Sequence, residues 1–272
     1  METKGFSPDV FFIPCYVILL ALTLYGKIEN AYMTYGQPGI TFNITTCVLF
    51  NIAFLGCVVF GWIYITERVT SFVDPEAGQR IRTLSAIPLV LFLGCYAAAI
   101  RVVDAQNVEV LRIPNFVPWL VTWERCKDYI FLDPYHLILF IVGFLCLLAT
   151  MSIPVGMAFG KKAFMTALVS SFGALLVGLV YQDWFWFVSH PTAYLTYGGR
   201  YGVFFNQWME VLGFHLPTIY VVAHILGLPM IIVPPLLICR RQKAVPYIVG
   251  LFGLLAVLIL FGVAYVKFVK NI

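Results

Sequence analysis

AFMTALVSSFGALLVGLVY, residues 163–181, runs for 19 residues without a charge, and QDWFWFVSHP, residues 182–191, follows it directly. At about 1.5 Å of rise per residue the first run is about 28 Å long as a helix, close to the ~30 Å hydrocarbon thickness of a bilayer. Backbone amides inside hydrocarbon must be satisfied within the segment itself, which an α-helix achieves; a barrel strand would instead alternate polar and apolar residues over about ten positions. The run therefore reads as a transmembrane helix.

Working outward, six more stretches share this character: about 8–26, 41–65, 84–103, 134–157, 217–239 and 246–267. Lys27, the Thr66-Glu67-Arg68 group, Gly160-Lys161-Lys162 and Arg240, Arg241 and Lys243 punctuate them. Composition agrees, with 61% hydrophobic and 11% charged residues and a mean hydropathy of +0.92. Soluble domains are about 45–50% apolar and about 25% charged, so this chain cannot coat a globule with polar surface. The expected architecture is all-α: a polytopic membrane protein, residues 1–272 forming a single integral membrane domain of about seven transmembrane helices. The first segment has a weakly basic start and no small-residue cleavage site, and reads as a retained helix.

Charge sets the expected orientation. Lys4, Arg68, Arg80, Arg82, Lys161, Lys162, Arg240, Arg241 and Lys243 fall in the N-terminus and short loops of one side, against Lys27, Lys267 and Lys270 on the other. Short loops carry the positive-inside signal. The expectation is a plasma-membrane protein with a cytoplasmic N-terminus and an outer C-terminus. Two long aromatic, membrane-hugging loops, 104–133 and 182–216, then lie outside. The scattered basic residues lack the clustering of a nucleic-acid footprint, so no nucleic-acid partner is expected; the expected partners are membrane lipids and, under one reading, other membrane subunits. Cys15, Cys47, Cys57, Cys95, Cys146 and Cys239 lie in apolar spans and Cys126 alone in a loop, which forms no disulfide framework.

The second long loop concentrates the chemistry. It holds Asp183, Trp184, Trp186, His190, Trp208, Glu210 and His215. Trp and Tyr gather at membrane boundaries because their rings are amphipathic, and an aromatic belt is the plainest account. A belt does not require the ionisable residues beside it, and such groups near membrane depth are costly and usually functional. If the fifth helix continues to Ser189, Asp183, Trp186, Phe187 and His190 share one face, and Pro191 marks its stop. Asp183 and His190 are then the candidate acid–base or anchoring groups, with Trp184, Trp186, Trp208, Glu210 and His215 as candidate substrate contacts.

Metal and haem are tested by spacing. Asp183 and His190 lie about 10 Å apart along a helix and cannot share one ion at bonds of about 2 Å. On a straight helix Glu210 and His215 stand about 140° apart. A metal would need ligands from separate elements, drawn from His136, His190, His215 and Asp183. His136 and His224 sit near the outer third of two different spans, a disposition suited to axial ligation of a b-type haem. The plainer role for His224 is donation to a backbone carbonyl freed by Pro217 or Pro229. No cofactor is assigned.

The run Gln182–Pro191, with Trp208 and Pro217 after it, resembles a segment of uncharacterised prokaryotic multi-pass membrane proteins with an acidic-Asp-aromatic-x-Trp-Phe-Val-x-x-Pro pattern. This chain departs from it at Gln182 and His190, and the resemblance implies no reaction. Pro134-Tyr135-His136-Leu137 resembles a helix opening in the C subunit of membrane-bound methane and ammonia monooxygenases. The acidic and histidine copper ligands that precede it there are replaced here by the region of Trp119 and Trp123, so no copper site carries over. Three functional readings remain. The first is a membrane-embedded polar site under an aromatic lid, handling a lipidic or small apolar substrate. The second is a non-catalytic subunit of a larger membrane complex. The third is a permeation protein for a neutral solute.

Overall fold

The structure is a computed structural model and describes residues 9–33, 44–107, 137–189, 208–211, 214–238 and 241–270. Helices dominate: α1 (Asp9–Met33), α2 (Ile44–Thr70), α3 (Pro75–Asn107), α4 (Phe144–Phe159), α5 (Lys161–Ser189), α6 (Thr218–Ile238) and α7 (Arg241–Lys270). A π-helical stretch, Leu137–Gly143, leads into α4. Two four-residue strands, β1 (Trp208–Val211) and β2 (Phe214–Pro217), form an antiparallel hairpin that runs straight into α6.

Among the described residues, four stretches are long and apolar enough to cross a membrane: Ile52–Thr70, Pro75–Ala98, Ile141–Phe159 and Lys161–Tyr181. Shorter apolar stretches fall at Val10–Leu22, Thr218–Pro234 and Val245–Leu260. Large apolar side chains point outward on several helices, among them Phe60 at 70% exposure and Leu237 at 77%. In water such a coat would be an aggregation liability; against lipid tails it carries no penalty.

Several helices run past the apolar stretches that announced them, α1 to Met33, α2 to Thr70 and α3 from Pro75 to Asn107. The expected 66–83 loop shrinks to a turn, since α2 continues to Thr70 and α3 starts at Pro75. Asp74 explains the early start. Its Oδ1 accepts the Ala77 amide at 2.9 Å, its carbonyl accepts the Gly78 amide at 2.9 Å, and Pro75 at the first helical position has no amide to satisfy. Lys161–Ser189 likewise exceeds the 163–181 stretch at its far end by two turns of polar and aromatic sequence. Hydropathy marks where a helix is dry, whereas hydrogen bonding decides where it ends.

Helices α1 and α5 form the centre. Leu22 packs on Gly178 and the Cys15 thiol donates to the Ser170 carbonyl at 3.6 Å, a register in which the two helices run parallel. Helix α6 then crosses α5 at two glycines. A Cβ on Gly173 would stand 2.6 Å from the Gly227 carbonyl oxygen, and one on Gly227 would stand 2.9 Å from that of Gly173. Only glycine permits this approach, the small-residue packing by which helices associate in lipid.

Prolines in spans leave carbonyls without their usual amide four residues on. Pro235 does this to Ile231. The Tyr247 hydroxyl, from α7, donates to the Ile231 carbonyl at 2.9 Å in the buried core, and the Tyr247 ring meets Phe12 of α1 edge-on at 5.5 Å. One side chain thereby ties α1, α6 and α7 together.

Two outcomes test this packing. Gly173→Ala lowers stability by about 1–3 kcal/mol through overpacking, whereas Gly253→Ala, with nothing within 4 Å of its added Cβ, is neutral or stabilising by up to about 1 kcal/mol; denaturation of the purified protein in mixed micelles reads both. Tyr247→Phe costs about 1–2 kcal/mol by stranding the Ile231 carbonyl. In Pro235→Ala, which restores an amide to that carbonyl, the cost of Tyr247→Phe falls, and a double-mutant cycle measures the coupling.

Candidate functional site

The site is built at the end of the bundle where α5 stops and α6 begins. Small residues line the buried face of α5: Ala163, Ala167, Ser170, Ser171 and Ala174, with Tyr181 closing the apolar run. With Gly173 fixed against Gly227, the antiparallel path of α6 takes it from Gly227 back to His224 as α5 advances to Tyr181. The two rings meet edge-on, centroids 5.7 Å apart at 70°. Tyr181 and Tyr220 are buried, each 5% exposed, and His224 is half-buried.

His224 Nδ1 lies 2.8 Å from the Tyr220 carbonyl oxygen. A carbonyl only accepts, so Nδ1 carries the proton and donates. In the neutral ring the lone pair is then on Nε2. That nitrogen can accept a proton or a hydrogen bond, or hold a metal. The carbonyl that His224 uses differs from the one expected. Neither Pro217 nor Pro229 frees it: the residue four positions beyond Tyr220 is His224 itself, whose own amide serves that turn. The ring folds back onto its i−4 carbonyl, as hydroxyl side chains do in helices. One proline-freed carbonyl of α6, that of Ile231, is answered by Tyr247.

Asp183, Trp184 and Trp186 lie in the last two turns of α5, two to five residues beyond Tyr181. The helix does continue to Ser189, the condition under which Asp183, Trp186 and Phe187 share a face. Trp208, Glu210 and His215 are in the hairpin. Its register sets Glu210 directly opposite His215 and Trp208 opposite Pro217, so the 140° separation of a helix does not apply. Opposed positions of an antiparallel pair occupy one rung and one face of the ribbon. The loop expected over 182–216 is thus helix at its start and hairpin at its end. His190 and His136 lie outside the described residues, as do residues 108–133 of the expected 104–133 loop, whose first four residues belong instead to α3.

Among the described residues no three His, Cys, Asp or Glu side chains converge on one point. His224 is the one member of the candidate metal and haem sets whose side-chain surroundings are described. The sequence reading missed Tyr181 and Tyr220. Their signal was the Tyr220-x-x-x-His224 spacing, which stacks two side chains on one helical face, and the position of Tyr181 as the last residue of the apolar run.

No protein-family model, curated protein or solved structure matches the chain.

The tautomer is directly measurable. In solid-state ¹⁵N spectra of histidine-labelled protein, the neutral form of the His224 ring is expected to be protonated at Nδ1 and bare at Nε2. A neutral ring protonated only at Nε2 would contradict the geometry.

Proposed function

We propose that the chain spans the membrane with all seven helices, its N-terminus cytoplasmic and its C-terminus outside, and handles a lipidic or small apolar substrate at a polar site on the outer boundary. Asp183 and His190 serve as its acid–base or anchoring groups. Glu210 and His215 partner them from the hairpin, and Trp184, Trp186 and Trp208 roof the site.

The observation that carries this reading is the Tyr181–His224 contact. It sets the start of α6 beside the end of the apolar run of α5, and the polar continuation of α5 and the hairpin follow directly along the chain from those two points. This supports reading Asp183, Glu210, His215 and His224 as one polar end of the bundle. A half-buried imidazole with a bare Nε2 suits hydrogen bonding to the polar end of an otherwise apolar molecule. A boundary of aromatic rings suits its apolar body, since Trp presents a large apolar face and one polar tip.

The test uses liposomes containing the purified chain and a phospholipid with a photoactivatable acyl chain. Labelling is expected to concentrate on peptides covering 182–190 and 208–224, and Asp183→Asn is expected to reduce it there by about tenfold, the weight of one charge-assisted hydrogen bond, with folding unchanged. Labelling spread evenly around the bundle, or unaltered by Asp183→Asn, overturns the proposal. Stoichiometric copurification of other chains with that pattern would favour the subunit reading instead.

A further inference from the structure

At the opposite end of α5, a groove of about 560 Å³ opens between α5 and α6. Met165, Thr166 and Val169 of α5 and Pro234 of α6 line it together with Lys161 and Lys162. It lies on the lysine-bearing side of the tight crossing at Gly173 and Gly227, with Val169 about one turn before Gly173 and Pro234 about two turns beyond Gly227. Apolar side chains and two cations line one concavity, and none of its lining residues is acidic.

Among the described residues the two lysines have no counter-charge in an ion pair, and both are exposed. Arg80, on α3, is instead paired to Glu76. Helix α7 begins with Arg241 after a short connection from α6, so further basic residues follow at the same end of the fold. The first turn of α5 also presents backbone amides with no partner inside the helix, a setting that favours anions.

We infer that this groove seats one anionic glycerophospholipid, its acyl chain along Met165, Val169 and Pro234 and its phosphate-bearing headgroup between Lys161 and Lys162. A zwitterionic lipid offers the same chain without net charge, and free phosphate offers the charge without the chain. Only the anionic lipid matches both parts of the groove. The site lies a helix length from Asp183 and stands independently of the function proposed for that end.

Native mass spectrometry of the full chain tests the assignment, with phosphatidylglycerol and phosphatidylcholine of identical acyl chains supplied together. One phosphatidylglycerol per chain is expected to survive activation that strips phosphatidylcholine. Excess inorganic phosphate is expected not to displace it. The double variant Lys161→Gln/Lys162→Gln is expected to lower retention about tenfold or more, and Met165→Trp, which fills the groove from an exposed position, is expected to lower it with both lysines present. Arg80→Gln is the control and leaves it unchanged. Equal retention of the two lipids, or retention indifferent to the lysine variant, overturns the inference. Loss on removing the lysines without any loss in Met165→Trp would also overturn it, by reducing the effect to diffuse charge attraction.

Discussion

Where α5 crosses α6, Gly173 and Gly227 let two backbones touch, and the placement of the polar groups at both ends of that helix pair follows from the contact. Between helices in lipid there is no hydrophobic gain, because the tails are as apolar as the side chains they replace; association rests on close packing and on hydrogen bonds. The crossing supplies the first by placing glycine on both helices at the point of contact, so that each backbone packs against the other and against neighbouring side chains such as Met230 and Val177. Towards the end of α5 Tyr181 meets His224; towards its start the same two helices line the groove at Lys161 and Lys162.

Hydrogen bonds supply the second, and here prolines matter. A helix carrying Pro234-Pro235 leaves carbonyls without their usual amide in an apolar core, at a cost of about 1–3 kcal/mol for each one unanswered. Tyr247 answers the Ile231 carbonyl from another helix, so the break in α6 becomes a point of attachment. The same pattern recurs elsewhere. Trp62 Nε1 donates to Ser85 Oγ at 2.9 Å, linking α2 to α3, and Ser85 Oγ donates in turn to the Ile81 carbonyl at 2.7 Å. Polar side chains such as Tyr247, Trp62 and Ser85 close the local backbone or join two helices.

The helical class and the existence of each helix were legible in the sequence, because about 20 apolar residues in a row have few other outcomes. Helix ends were not. Asp74 begins α3 nine residues before the apolar stretch at 84, and hydropathy does not register an N-cap. The region after Tyr181 was legible as chemistry and not as geometry: its residue types announced a polar cluster, while the pairing of Glu210 with His215 depended on a hairpin whose strands are only four residues long. The contact between Tyr181 and His224 joins residues far apart in sequence. It depends on Gly173 and Gly227 meeting, which no periodicity within either helix records.

The central claim is that the glycine crossing holds the end of α5 against the start of α6. Solid-state NMR of protein carbon-labelled only in tyrosine and histidine, reconstituted in lipid, tests it most directly. A cross-peak between the Tyr181 and His224 rings, assigned by its loss in His224→Phe, is the predicted result. A spectrum in which the His224 ring has no contact to Tyr181 would contradict the account and detach the polar end of α5 from α6.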